Sequence, residues 1–284
     1  MDKIKERLWY HLEYMLDKID NDWFFIVANG SMNYGLYNDE KSDVDSLLVV
    51  VPTADNLIHN HCVNYETKID DCGEECKVKD VREFFNMLRK CNINFVEALY
   101  SDYFIVNPKY YVYWKALKDS RDAISHYDMW HTVSSCIGMS KNIRAKFGSQ
   151  SIRKQLSNVV RMRLFIKHFI NLHNYKDCIE PVDDEHKLLM EIKYGDKKLK
   201  SDKVLDAINL NIAVMESYRD NFKRKLKLAD GQVKDNQKIV DDILNDVSCR
   251  MIKKVLDENA LEKEAAEKKK REERYNAYKK EENI

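Results

Sequence analysis

Two aspartates one residue apart, Asp43 and Asp45, stand at the entrance to the apolar run "SLLVVV" in the stretch "NGSMNYGLYNDEKSDVDSLLVVV", residues 29–51. Side chains alternate along extended backbone, so both carboxylates face one side while Val44 faces the core. Two carboxylates a few ångströms apart repel and resist ionising together. A divalent cation between them removes that repulsion. Oxygen-only ligands of this kind suit Mg²⁺ or Mn²⁺, which are commonly held by one or two carboxylates together with substrate phosphates. The pair therefore implies a phosphate ligand that completes the metal shell. Gly30-Ser31, a turn after the run "WFFIVA", supplies the other half. Without a side chain at Gly30 the backbone can come close, and its N–H groups and the Ser31 hydroxyl can hold phosphate oxygens. Phosphates over the turn and metal over the aspartates would share one crevice at the end of a sheet, with the α-phosphorus of a nucleoside triphosphate beside the metal.

Those residues need elements to place them. Ile4, Leu8, Leu12, Met15, Leu16 and Ile19 recur at helical spacing and predict an amphipathic first helix. Trp23 to Ala28 is apolar on both faces, as in a buried central strand, and Asp45 to Val51 is a second such strand closed by Pro52. "CVNYETKI" and "EECKVK" flank Asp70-Asp71-Cys72-Gly73, which predicts a hairpin. Asp80-Val81-Arg82-Glu83 has capping-box form and starts a helix running to about Cys91. From about Pro108 helical periodicity dominates, over Tyr127 to Phe147, Ile152 to Asn174, Val204 to Leu228 and from Lys238 onward, with Gly148 and Gly231 between helices. The fold class is α+β: a small mixed sheet over residues 1–108, a helical domain over 109–256, and a charged helical tail over 257–284. That tail mixes both charge signs at i, i+4 spacing and reads as a solvated helix, with a contact arm for RNA or a partner as the rival reading.

Composition narrows the class. Of 284 residues 44% are hydrophobic, enough for a packed core, and 34% are charged. Lys+Arg and Asp+Glu balance at 48 each, so no global field draws in nucleic acid or an anionic membrane. The seven cysteines are odd in number and scattered, which suits reduced cytosolic thiols better than a disulfide framework. The charged start "MDKIKERLWYHLEYML" is unlike a signal peptide, and no apolar run approaches the ~20 residues of a membrane span. A cytoplasmic protein without a membrane partner is expected.

The motif "GSMNYG…SDVD" resembles the nucleotidyltransferases of the DNA polymerase β superfamily, closest to the bacterial and phage predicted nucleotidyltransferases with their G-S-x-A-Y-G, short polar loop and S-D-x-D. The residues that carry it are Gly30, Ser31, Tyr34, Gly35, Ser42, Asp43 and Asp45. Met32 stands where the family often has a basic residue, and Asn33 where it has alanine. "VREFFNMLRKCNINFVEALYS" is similar to the family's helix, Asn-containing turn and segment ending near Glu97. "SIRKQLSNVVRMRLFI" is similar to a later helix with a lysine and an arginine seven apart, here Lys154 and Arg161. The resemblance spans about residues 20–175. It implies a nucleotidyltransferase fold that uses Mg²⁺ or Mn²⁺ and an NTP donor, with Lys154 or Arg161 available to neutralise phosphate oxygens.

The family carries a third acidic residue on a neighbouring strand, which helps hold one metal and can take the proton of the attacking hydroxyl. Glu75 is the choice here. On "ECKVK", Glu75, Lys77 and Lys79 share one face and Cys76 and Val78 the other, more apolar one, and an acid among lysines fits a phosphate site. Glu74 and Asp71 are rivals if the register slips; Asp80 is explained as an N-cap. The activity expected is transfer of a nucleoside monophosphate from an NTP to an acceptor hydroxyl, with release of pyrophosphate. The acceptor is RNA such as tRNA, a protein or a small molecule. The rival is a nucleotide- or RNA-binding module of the same fold that has lost the reaction. A third reading places the chain in toxin–antitoxin or phage-defence biology. His59, His61 and Cys62 with Cys72 and Cys76 have spacings that could bind zinc, but sit across a strand start. The aromatics of "YSDYFIVNPKYYVYW" could stack on a base, yet such clusters more often pack a domain junction.

Overall fold

The computed structural model describes residues 3–69, 73–171, 174–226 and 230–282. Its sheet has five strands in the order β3-β4-β2-β1-β5. They are β1 (Trp23–Asn29), β2 (Asp45–Val50), β3 (Asn64–Ile69), β4 (Glu74–Asp80) and β5 (Phe104–Val106). β1 runs antiparallel to both β2 and β5, β2 pairs with β4 in parallel, and β3 with β4 antiparallel. The mixed sheet and the helical region that follows it are the α+β class expected. β3 and β4 form the predicted hairpin; its turn residues Asp70 to Cys72 lie outside the described residues.

Each face of the sheet is covered. Helix α1 (Lys3–Leu16) lays Leu8, Leu12 and Met15 against Ile26, Leu48, Val50, Cys76 and Val78. The opposite face carries Phe25, Val27, Leu47 and Val49, which pack on Phe84, Phe85 and Leu88 of α3 (Val81–Arg89) and on Trp114 of α5 (Tyr111–Asp119). The period-2 alternation of β2 thus splits one strand between two cores. Asp80 caps α3 as expected, accepting from the Arg82 N–H at 2.8 Å. The capping box itself does not close: Glu83 instead accepts from Asn86 at 3.2 Å, while the Asp80 carboxylate holds the Arg82 guanidinium.

The remaining helices are α2 (Ala54–Ile58), α4 (Ile93–Val96), α6 (Arg121–Ser125), α7 (Met129–Ala145), α8 (Ile152–Phe169), α9 (Tyr175–Ile179), α10 (Asp183–Tyr194), α11 (Ser201–Leu226) and α12 (Asp230–Glu282). α8 lies at the centre, against α7, α9, α10 and α11. Its buried Val159, Phe165 and Phe169 join a hydrophobic cluster that is continuous from β1 to Met251 of α12. Gly231 lies inside α12, close to its start. Tyr110 and Trp114 from the aromatic stretch are buried against Phe24, with Phe24–Trp114 ring centroids 6.5 Å apart, so they pack the junction between sheet and helices. Cys76 is buried within the sheet core while His59 is exposed beside Asp55; Cys72 lies outside the described residues. Among the described residues no helix is long and apolar enough to cross a membrane.

Candidate active site

Gly30 opens a 3-10 turn, Gly30–Tyr34, directly off the end of β1. It has φ +81° and Gly35 closes the turn at φ +67°, left-handed conformations that a Cβ disfavours. The Asn29 side chain accepts the Gly30 N–H at 3.0 Å and fixes where the turn begins. A polar loop then leads to Asp43, with the Lys41 and Ser42 N–H groups both bonded to the Asn38 carbonyl.

β2 begins only at Asp45, so strand alternation alone does not orient Asp43, which is still in the loop and exposed. The reason lies in the hydrogen bonds of Val44. Its N–H is taken by the Glu74 carboxylate at 3.2 Å rather than by a strand partner, and its side chain is buried as expected. Asp43 and Asp45 nevertheless line one cavity of about 290 Å³ together with Gly30, Ser31, Tyr34 and Ser42.

The far wall of this cavity comes from the helices. Ser151, Lys154 and Asn158 belong to α8 and the residue before it, while Lys193 and Tyr194 end α10. Tyr194 donates its hydroxyl to the Leu36 carbonyl at 3.0 Å and is joined by the Ser42 hydroxyl. Lys193 reaches the same carbonyl at 3.1 Å, and His186 donates to the Gly35 carbonyl at 2.9 Å. One face of α10 therefore clasps the glycine turn. Arg153 of α8 donates to the Glu191 and Ile192 carbonyls at 3.1 and 2.9 Å, closing the end of α10 and holding Lys193 beside Lys154.

The electrostatics have two poles. Burial raises the Asp45 carboxyl above its ordinary range, and the nearby Glu75 and Asp43 charges add to this, while the Glu75 N–H and Lys154 pull it down. Across the cavity, burial pushes Lys193 down to about 8, with Lys154 and Arg161 adding like charge and Asp45 opposing them. The charged forms of Asp45 and Lys193 are both disfavoured as they stand. A ligand carrying a divalent cation and an anionic tail would relieve each.

Register sets Glu75 next to Asp45. Ser46 pairs with Cys76 in the parallel ladder, so Glu75 and Asp45 are neighbours on one face, and the Glu75 N–H donates to Asp45 Oδ1 at 3.1 Å. Its rival Glu74 points through the sheet to Arg7 and His11. Asp71 lies outside the described residues. Lys77 is drawn to Glu66 on β3 at 3.6 Å and is not part of the cavity lining. Arg161 is on the same α8 face as Lys154 but buried below it, paired with Glu97 at 2.6 Å and with its guanidinium 3.8 Å from the Tyr34 ring centroid. It supports the turn from beneath and does not reach the open cavity. Among the described residues no three His, Cys, Asp or Glu side chains are gathered into a ready-made metal cage.

Lys41, Ser151, Asn158, Lys193 and Tyr194 line the cavity without having been singled out in the sequence. Asn158 was the accessible one, because it falls between Lys154 and Arg161 at i, i+4, i+7 spacing.

The class of protein that this site suggests can be set beside known proteins. No family model matches the chain, and no curated protein matches it. Among solved structures it is similar to a nucleotidyltransferase-like protein from Exiguobacterium sibiricum 255-15, at 10% sequence identity over 76% of this chain and 74% of that one, with a TM-score of 0.28. So loose an overlap carries no argument, and the functional reading rests on the cavity.

Proposed function

We propose that the chain is a metal-dependent nucleotidyltransferase that moves a nucleoside monophosphate from an NTP to an acceptor hydroxyl. One observation carries the reading: Asp43 and Asp45 face Lys154 and Lys193 across a single cavity floored by the Gly30-Ser31 turn. At about 290 Å³ the space is at the small end of ligand pockets, which start at about 300 Å³. It suits a polyphosphate, with the nucleoside toward the mouth.

The donor set fits Mg²⁺ or Mn²⁺. Its atoms are carboxylate oxygens, and the Asp45 carboxyl, raised first by burial and further by the Glu75 and Asp43 charges, is one whose ionised form a divalent ion would favour. Asp43 and Asp45 would hold the ion, with Glu75 the third candidate ligand. When bound, it would supply charge neutralisation at the α-phosphate and a lowered pKa for the attacking hydroxyl. The chain's own groups do the rest. Ser31 and the turn N–H groups hold phosphate oxygens, and Lys154 and Lys193 take the charge that builds on the leaving pyrophosphate. The acceptor oxygen forms a bond to the α-phosphorus as the bond to the bridging oxygen breaks. The hydroxyl proton passes to a carboxylate, and the candidate is Glu75, which bonds to Asp45 through its main-chain N–H but lies outside the cavity lining.

A second reading rests on Glu75. What ties it to Asp45 is its main-chain N–H, and a glutamate not held at the pair would suit a cleft that binds NTP without transferring it. α-Labelled NTPs offered with Mg²⁺, bulk tRNA, total RNA and cell extract separate the two. Label transfer that disappears in Asp43→Ala and in Asp45→Ala, with folding intact, is the result expected. Tight NTP binding without transfer would favour the binding module, and full activity in the Asp43→Ala/Asp45→Ala double variant would refute the site.

A further inference from the structure

Behind the aspartate pair, on the opposite face of the sheet, helix α1 builds a polar cluster inside an otherwise apolar layer. Glu74 Oε2 accepts from Arg7 Nε at 3.1 Å, from Arg7 Nη2, and from His11 Nε2 at 2.8 Å. Glu74 Oε1 accepts the Val44 N–H at 3.2 Å. The other imidazole nitrogen, His11 Nδ1, lies 2.9 Å from Ser46 Oγ. His11 and Ser46 are 0% exposed and Glu74 8%. With Nε2–H donated to the carboxylate, a neutral His11 accepts the Ser46 hydroxyl at Nδ1. Burial, the largest influence, lowers the His11 pKa and keeps that neutral form.

Such a cluster is costly to place under a sheet unless every member is satisfied. Its members end on the two residues that flank Asp45, Val44 through the main chain and Ser46 through the side chain. The Val44 N–H belongs to the peptide that joins Asp43 to Val44, so its direction sets how Asp43 leaves the strand. Among the described residues no strand partner holds that peptide; Glu74 does. We propose that Glu74, anchored by Arg7 and His11, is a positioning residue that fixes the spacing of Asp43 and Asp45 for a divalent cation. The proposal rests on the reading of those aspartates as a cation site. It explains how two repelling carboxylates, one of them on a loop, are held together in advance.

Mn²⁺ uptake by the full chain, followed through the electron paramagnetic resonance signal of free Mn²⁺, tests it without assuming an activity. Wild type binds and Asp45→Asn does not. Glu74→Ala, which removes the acceptor for Val44, weakens binding roughly 10- to 100-fold, as loss of a residue that orients metal ligands commonly does. Glu74→Gln keeps an oxygen for the Val44 N–H but not the charge that pairs with Arg7. Its amide NH2 then faces the donors of Arg7 and His11, so its melting temperature drops, and it loses less Mn²⁺ affinity than Glu74→Ala. Should Glu74→Ala not fold, Arg7→Leu/Glu74→Leu removes both charges together, which buried pairs commonly tolerate. That variant still leaves the His11 Nε2–H and the Val44 N–H without their acceptor, so its melting temperature falls, but by less than that of Glu74→Ala, while its affinity falls as far. A merely structural cluster would make affinity follow melting temperature through the series, and that pattern overturns the proposal. So does wild-type affinity in Glu74→Ala or in the double leucine variant, or equal loss in Glu74→Gln and Glu74→Ala. Wild type that takes up no Mn²⁺, or Asp45→Asn that takes it up normally, removes the aspartate site itself and the anchor with it.

Discussion

At the scale of single residues, local chemistry could be read directly and long-range pairing could not. Gly30, Ser31 and Asp45 come together in the cavity because the features that place them, a left-handed glycine and the start of an apolar strand, are written within a few residues of them, whereas Asp43 precedes a peptide held by Glu74, 30 residues from Val44. Arg161 was legible as a member of the Lys154 face but not as a buried residue. Its partner Glu97 is 64 residues away, and no local pattern announces the pairing. That ion pair invites a stability test. Burial raises the Glu97 carboxyl against the pull of the Arg161 charge. Arg161→Ala leaves Glu97 buried and unpaired, which costs about 3–5 kcal/mol. Without the guanidinium the Glu97 pKa rises further in the folded state. Folding then binds an extra proton, and stability falls as pH rises from the unfolded pKa through the folded one. Denaturant unfolding should therefore show a larger deficit at pH 8 than at pH 5. Arg161→Met/Glu97→Leu should recover most of the loss. A deficit independent of pH would mean that Glu97 stays ionised through solvent contact.

At the scale of elements, the strands and longer helices followed from periodicity, whereas α10 did not stand out. "DDEHKLLMEIKY" reads as any solvated helix, and what makes it functional is its clasp on Gly35 and Leu36, more than 150 residues distant in sequence. That clasp puts Lys193 at the cavity with a pKa near 8, lowered first by burial and then by Lys154 and Arg161. The charged form, which attracts phosphate, is full below that value and is lost above it. Triphosphate affinity measured by calorimetry should therefore weaken as pH rises through about 8. The same limb should be missing in Lys193→Met, whose affinity is low throughout. Lys154→Met, with one repelling cation gone, should shift the limb to higher pH. An unchanged limb in Lys193→Met would assign the titration elsewhere.

At the scale of the whole molecule, α12 joins the two regions that composition separates. The last strand ends at Val106 and helices follow from Tyr111, and the buried cluster passes straight across the boundary expected near residue 108. α12 contributes Val240, Leu244, Val247 and Met251 to that cluster. It also ties back to the sheet side, with Asp241 on Arg89 at 3.0 Å and Glu258 on Lys109 at 2.8 Å. Beyond Glu258 the support stops: from Ala260 to Glu273 the side chains are exposed. Helix stability in that stretch comes from i, i+4 charge pairs such as Arg271–Glu267. These are worth only about 0.3–0.5 kcal/mol each. The fold should therefore not depend on it. Ending the chain after residue 262 should leave the melting temperature within a few degrees of the full chain, since about 1 kcal/mol shifts a domain of this size by roughly 2–4 °C. Ending it after residue 238 removes four core side chains and the Arg89 partner, and should prevent cooperative unfolding altogether. If the 262 truncation folds normally but fails to transfer label to RNA while still binding NTP, the exposed end is a contact arm for the acceptor. Equal loss of stability in both truncations would instead place this segment against the body of the protein.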